Sequence, residues 1–381
     1  MTPFAFATAA RIAFGPGVAA QAPGLARGFG ARAFVVTGAT PARAAWLTGG
    51  LAAEGLAVEV WPTPHAPLVA DAVAAVAAAR DFAADVVIAI GGGAALDLGK
   101  AVAGLLREPG APLDHLEVVG KGLPLTQDPP PLIAIPTTAG TGAEVTRNAV
   151  LGAPEHRRKV SLRDARLLPK AALVDPDLLR GLPHGVALAS GLDAIVQVIE
   201  PYVSRFANPL TDALCRDAIP RGLTALPRLL ADGADAGARA DMAFTSLCGG
   251  LALANARLGA VHGLAGVIGG RSTMAHGAIC GRLAPGVLAA TEAALPQGCA
   301  PQARFAEVRR WIAAALGGDA GDAFATLRRF IDAEGLPPLD LATQAVEEVA
   351  AEAMKSSSMQ GAPVTPAPQR LAALLAAELR G

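Results

Sequence analysis

Three side chains stand out for the chemistry they could share. His262 and His276 fall in one stretch, Val261-His262-Gly263-Leu264 through Met274-Ala275-His276-Gly277. Asp193 lies upstream, in Gly191-Leu192-Asp193-Ala194. One carboxylate and two imidazoles held on helices are ligand types for a divalent cation that activates a substrate oxygen. Three protein ligands with open positions satisfy a catalytic ion, although the set is one short of a closed tetrahedral site. Taken singly, each residue could equally be a polar group hydrogen-bonded within a helical core.

Such residues need a scaffold. Up to about residue 180, short β-rich runs alternate with alanine-rich helical runs. Residues 33–37, 58–61, 85–90, 132–135 and 172–174 read as strands, with helical stretches at 41–54, 68–80 and 94–107 between several of them. The runs are almost wholly apolar, which suits strands of a parallel sheet buried on both faces. Alternation of this kind is a βαβ series. Beyond Pro183 helical periodicity continues nearly to the end. We place its breaks at Asn208-Pro209, Gly249-Gly250, Gly269-Gly270, Pro285-Gly286, Pro296, Pro301, Gly317-Gly318 and Pro337-Pro338. The expected organisation is an α/β domain over residues 1–180 and an all-helical domain over 181–381, which carries Asp193 and both histidines.

Composition excludes several classes. The 381 residues are 52% hydrophobic and 17% charged, which marks a globular chain rather than a disordered one. The net charge of -1, with one short basic cluster at Arg157-Arg158-Lys159, argues against a nucleic-acid partner. Alanine produces the positive mean hydropathy of +0.41. Since no uncharged apolar stretch of about 18 residues occurs, we expect no membrane span. The start of the chain has neither a basic segment nor a long apolar one, so we expect no signal peptide and a cytoplasmic location. Cys215, Cys248, Cys280 and Cys299 show no CxxC spacing and read as buried thiols in a reducing compartment.

Two segments suggest a nucleotide. Ile90-Gly91-Gly92-Gly93-Ala94 joins a strand to a helix, where glycines let the backbone turn sharply and a diphosphate approach the helix N-terminus. This is not a GxGxxG fingerprint, and an ordinary strand–helix turn explains it as well. Ile135-Pro136-Thr137-Thr138-Ala139-Gly140-Thr141-Gly142 also follows a strand and is dense in hydroxyl and glycine residues that can bond a nucleotide.

Together with Leu173-Val174-Asp175-Pro176, Gly191-Leu192-Asp193-Ala194 and the two-histidine stretch, these segments resemble the iron-containing (group III) alcohol dehydrogenases, which share the dehydroquinate synthase-like fold and are related to the maleylacetate reductases. The resemblance implies a Rossmann-like nucleotide-binding domain followed by an all-α domain, an NAD(P) cofactor, a divalent metal and a homodimer. It implies that Gly91, Gly92, Gly93 and Ala94 hold the diphosphate and that Asp97 lies near the nicotinamide. Thr137, Thr138 and Thr141 would contact the nucleotide, and Lys159 would reach the ribose. Ala94 stands where the family usually has Ser, which removes a hydroxyl but keeps the backbone donor.

Two departures bear on chemistry. NAD-preferring members commonly end the first strand with Asp. Here Gly38 follows Thr37, with Thr40 and Arg43 close behind. No carboxylate repels a 2′-phosphate, so we expect NADP(H) to be accepted and even preferred. At the metal, the resemblance implies Asp193, Gln197, His262 and His276 as the ligand positions. Gln197 stands where the family has His, and Gly266 stands where many members carry a proton-relaying His. An amide oxygen is a harder donor than imidazole, so Fe(II) or Mn(II) joins Zn(II) among the expected ions.

The implied activity is an NAD(P)-dependent alcohol dehydrogenase, or an aldehyde or ketone reductase. Hydride would move to a carbonyl polarised by the metal in an interdomain cleft, with Asp193, His262 and His276 as the catalytic set. Gly266 predicts a roomier pocket for a substituted or acidic carbonyl compound. The rival readings are a metal-independent maleylacetate reductase-like oxo-acid reductase and a non-catalytic nucleotide-binding relative. A dehydroquinate synthase-like lyase would need a cation-rich substrate site that is not evident.

Overall fold

Runs of Val, Ile and Ala form the strands of a parallel sheet in the computed structural model, which describes residues 3–379. The elements of the α/β part are β1 (Ile12–Phe14), α1 (Ala22–Arg27), β2 (Arg32–Thr37), α2 (Ala45–Ala53), β3 (Ala57–Pro62), α3 (Val69–Asp81), β4 (Val86–Gly91), α4 (Gly93–Leu105), β5 (Leu132–Pro136), β6 (Asn148–Ala153), β7 (Arg158–Arg163) and β8 (Ala171–Val174). Six strands lie in the order β1-β8-β5-β4-β2-β3, every pair parallel. Successive side chains of β2 serve opposite faces. Phe34 and Val36 pack with Ala72, Val76 and Val102 of α3 and α4, whereas Val35 packs with Ala22, Leu47 and Leu51 of α1 and α2. A sheet covered on both faces explains why its strands read as continuous apolar runs.

β1 and the antiparallel hairpin β6–β7 lie outside the strands expected from sequence. β1 is three residues long, too short for a periodic signal. The hairpin turn runs through Pro154 with Arg157 at φ 49°, so it lacks the Asn-Gly or Gly-Gly pair that advertises a hairpin.

The helical part comprises α5 (His184–Val203), α6 (Pro209–Ala231), α7 (Ala236–Ala256), α8 (Ala260–Ile268), α9 (His276–Ala293), α10 (Ala300–Leu316), α11 (Ala323–Ala333), α12 (Val346–Ala353) and α13 (Pro368–Glu378). Helix α5 packs against α6, α7 and α9, and every residue from Leu192 to Val203 is buried. It is long and apolar enough to cross a membrane, yet 89% of that stretch is buried among its neighbours, as befits a core helix. Two expected breaks are not breaks. Helix α7 runs through Gly249-Gly250 and α9 through Pro285-Gly286. Gly249 serves packing instead, because a Cβ there would come within 3.1 Å of Gln197 Nε2.

The chain divides into two compact units. One is Thr8–Thr138 with Gly142–Leu179. The other holds the helices from Arg180 on, the described N-terminal residues through Ala7, and the short insert Ala139–Thr141.

Candidate functional site

Within the α/β unit the connections diverge between β2 and β4, with β3 beyond β2 and the later strands beyond β4. The carboxyl edge at such a switch point is where open α/β sheets bind ligands. The glycine and threonine segments meet there. Gly38 N donates to Ile90 O at 3.2 Å, and Thr137 N donates to Gly91 O at 2.9 Å. A Cβ on Gly91 would lie 2.6 Å from Ala95 Cβ and 3.1 Å from Gly38 N, so only glycine fits this crossing. Helix α4 then starts at Gly93 with no side-chain cap on its first amides. Those amides have no acceptor within the helix and suit an anion. A Cβ on Gly92 would stand 3.3 Å from Thr138 Oγ1.

The other expected cofactor residues are dispersed. Thr40 is exposed at the start of a short 3-10 turn, and Lys159 sits on β7. Thr141 belongs to the helical unit. Asp97, one turn into α4, lies 3.3 Å from buried Lys100 Nζ. Burial raises the Asp97 pKa above the usual carboxylate range despite that neighbour.

In the helical unit, Asp193 (α5), His262 (α8) and His276 (α9) converge. Among the described residues they form one group with Cys280, their ligand atoms all within 4.8 Å of one another. His262 Nε2 lies 3.3 Å from Asp193 Oδ1, and Cys280 Sγ lies 3.7 Å from His276 Nε2. Gly277 makes this convergence possible. A Cβ there would fall 2.2 Å from Ala189 O and 3.0 Å from Asp193 Cβ, so a side chain would push α9 off α5.

Glu200, two turns after Asp193 on α5, organises the group. Its carboxylate accepts from the backbone N–H groups of Gly259 at 2.9 Å and Val261 at 2.7 Å, which anchors the start of α8. It also lies 2.7 Å from His262 Nδ1. A carboxylate so placed accepts a hydrogen bond from Nδ1–H, so in the neutral imidazole the lone pair lies on Nε2. That lone pair faces the Asp193 carboxylate, and neither Nε2 nor Asp193 Oδ1 has a hydrogen-bond partner, although both residues are at least 96% buried. Two buried acceptor atoms this close require a cation between them, either a proton or a metal. The electrostatics agree. Burial alone would lower the His262 pKa, but the surrounding Cys280, Asp193 and Glu200 hold it well above its usual value. Burial works to raise the Asp193 pKa, yet the neighbouring His262 and His276 hold it below the ordinary range. Burial pushes the Cys280 thiol up to about 12.

Gln197, expected as an oxygen ligand, has its amide nitrogen committed elsewhere. Nε2 donates to Thr141 O at 2.8 Å and to Gly140 O at 3.4 Å. Two carbonyl oxygens converge on this end of the amide, so the N–H end must face them. Sequence reasoning did not single out Glu200 or Cys280. The spacing signals were available: Glu200 follows Asp193 by seven residues, and Cys280 follows His276 by four, each on the same helix face. A Cβ on Gly266 would meet open space, with nothing within 4 Å. Of the remaining histidines, His65, His156 and His184 are exposed. His115 is instead buried, with Nδ1 3.1 Å from Leu123 O, because a short 3-10 turn folds it inward.

Comparison with known proteins gives concordant results. Residues 9–176 match the family described as iron-containing alcohol dehydrogenase, and residues 187–379 match the C-terminal region of the same family. The 4-hydroxybutyrate dehydrogenase of Cupriavidus necator is 37% identical over 243 residues, covering 62% of this chain and 63% of the relative. The long-chain-alcohol dehydrogenase 1 of Geobacillus thermodenitrificans is 41% identical over 239 residues, covering 61% and 58%. The chain thus spans about three-fifths of the length of these curated relatives. A crystal structure of 1,3-propanediol oxidoreductase superposes with a TM-score of 0.89 at 27% identity, covering 99% of this chain and 100% of the other.

Proposed function

This chain belongs to the iron-containing alcohol dehydrogenase family, and we propose on that basis that it interconverts an alcohol and its carbonyl compound with NAD(P) as the redox partner. The observation that carries the reading is the buried, unpartnered pair of Asp193 Oδ1 and His262 Nε2 beside His276. Asp193, His262 and His276 would hold a divalent cation, which would supply Lewis acidity, and a bound nicotinamide would supply the hydride.

The chain's own residues do the rest. The first amides of α4, from Gly93 and Ala94, face the diphosphate, Gly91 and Gly92 let it approach, and Thr137 and Thr138 lie beside them. Glu200 orients the His262 ring, and the buried surroundings of Asp193 keep water from competing for the cation. Gln197 holds the Gly140-Thr141 backbone through its amide nitrogen. With Gly266 in place of a histidine, no side chain relays the proton from this position, and the open space there suits a substituted substrate. Relatives named for 1,3-propanediol and 4-hydroxybutyrate make ω-hydroxy alcohols and their aldehydes the first substrates to try.

The test is turnover of reduced nicotinamide with a panel of such aldehydes, after loading with Zn(II), Fe(II) or Mn(II). Activity that needs the cation and disappears on chelation supports the reading. Unchanged turnover after chelation, or tight cofactor binding without any turnover, overturns it. In the same assay, the missing carboxylate after β2 predicts a Michaelis constant for NADPH no higher than that for NADH. A strong NADH preference overturns that part alone.

A further inference from the structure

The group around Asp193 contains a sulfur. Helix α9 opens with His276, and Cys280 one turn later projects from the same face. With metal–nitrogen and metal–oxygen bonds near 2.1 Å and a metal–sulfur bond near 2.3 Å, tetrahedral angles separate N and O ligands by about 3.4 Å and N and S ligands by about 3.6 Å. The observed His262–Asp193 and His276–Cys280 separations are 3.3 and 3.7 Å. These two separations match edges of a metal-centred tetrahedron, and all four ligand atoms lie within 4.8 Å of one another. The surroundings hold them there. Gly277 seats α9 against α5, and a Cβ on Gly281 would come within 2.6 Å of Leu192 Cδ1, so both residues flanking this turn are packed at the closest approach of the two helices. Two of the four atoms, Asp193 Oδ1 and His262 Nε2, are buried without a partner.

We propose that Cys280 is the fourth protein ligand of this centre, completing an Asp-His-His-Cys set that favours Zn(II) over Fe(II) and Mn(II). The proposal rests on the reading that Asp193, His262 and His276 hold the catalytic cation. It replaces the imidazole lost at residue 197 with a donor from a different helix. Coordination breaks the Cys280 S–H bond, releases that proton to solvent and forms a metal–sulfur bond from the sulfur lone pair, with no change of oxidation state. Thiolate is a soft donor that suits Zn(II) and Co(II), whereas Mn(II) prefers oxygen. A fifth position remains for substrate oxygen, since catalytic zinc expands to five ligands.

Absorption spectroscopy of the Co(II)-loaded full chain tests this without reference to turnover. The expected result is a near-ultraviolet sulfur-to-cobalt charge-transfer band, lost in Cys280→Ser and kept in Cys215→Ser, a buried cysteine on α6. Competition with a chelator should show Zn(II) affinity falling by at least ~100-fold in Cys280→Ser, more than an outer-shell loss costs. Mn(II) affinity should fall far less. Co(II) binding to the wild-type chain without the band, or a band that survives in Cys280→Ser, overturns the sulfur ligand and leaves the three-residue site standing. Failure of the wild-type chain to bind Co(II), Zn(II) or Mn(II) overturns both readings. The wild-type spectrum decides the matter even where Cys280→Ser fails to fold.

Discussion

The two units each bury a cluster of charged groups, and the clusters are satisfied to different degrees. In the α/β unit, Lys100 is 1% exposed, but its ammonium donates to Thr146 Oγ1 at 2.9 Å and to Asn148 O at 2.5 Å, with Asp97 at 3.3 Å. Three donors meet three oxygens, which completes the group. In the helical unit, Asp193 Oδ1 and His262 Nε2 are as deeply buried and lack partners. Desolvating a polar atom without a replacement bond costs about 1–3 kcal/mol, so such atoms persist where a ligand completes them. The satisfied charge serves architecture, and the unsatisfied pair, set among ligand-type side chains, marks a candidate site.

Substitutions separate the two. Asp193→Asn keeps the shape but removes the charge that a cation needs. We expect kcat/KM to fall by about 10³-fold, the upper range for losing one electrostatic partner of the transition state, with loss of bound metal by elemental analysis. Retained metal with full turnover would end the distinction. Lys100→Met should instead cost about 3–5 kcal/mol in chemical denaturation, because it leaves Asp97 and Glu144 without their counter-charge. The folded fraction should bind metal at the wild-type stoichiometry, and a change in that stoichiometry would couple the clusters.

Glu144 sharpens the comparison through pH. Burial raises its carboxyl pKa from 4.5 to about 7, despite Lys100. The folded chain therefore holds this proton over a window in which the unfolded chain has released it. Its contribution to stability falls as pH rises from 4.5 to about 7. Glu144→Gln should flatten that decline, by up to about 3 kcal/mol across the window, in melts recorded at several pH values. The smallest effect should come from Glu200→Gln. An amide oxygen still accepts one bond, but it cannot serve Gly259, Val261 and the His262 ring together. Metal affinity should drop about 10–100-fold with the fold intact, the usual cost of losing an outer partner of a ligating histidine. An unchanged affinity would reduce Glu200 to a cap for α8.

The α/β alternation was legible because both-faces burial writes continuous apolar runs, and the five strands read from sequence correspond to β2, β3, β4, β5 and β8. The hairpin β6–β7 was not, because its turn uses Pro154 and a left-handed Arg157 in place of a glycine signal. Gly249 and Pro285 were misread as breaks, because a residue that ends an exposed helix can sit inside a helix that its neighbours support. Asp193, His262 and His276 were legible as ligand types, whereas Cys280 read as an ordinary buried thiol.

The sequence by itself determined the alternation of strands and helices, the glycine and threonine segments at strand ends, and the supply of carboxylate and imidazole. Local periodicity and backbone freedom act over a few residues, so one dimension suffices for them. Only the tertiary structure decided which polar groups share a point in space. It committed the Gln197 amide nitrogen to the backbone of Gly140 and Thr141, set Glu200 behind His262, and brought His276 and Cys280 of α9 together with Asp193 of α5 and His262 of α8. Such meetings depend on how closely α5, α8 and α9 pack, which small contacts such as that of Gly277 with Ala189 control from outside the site.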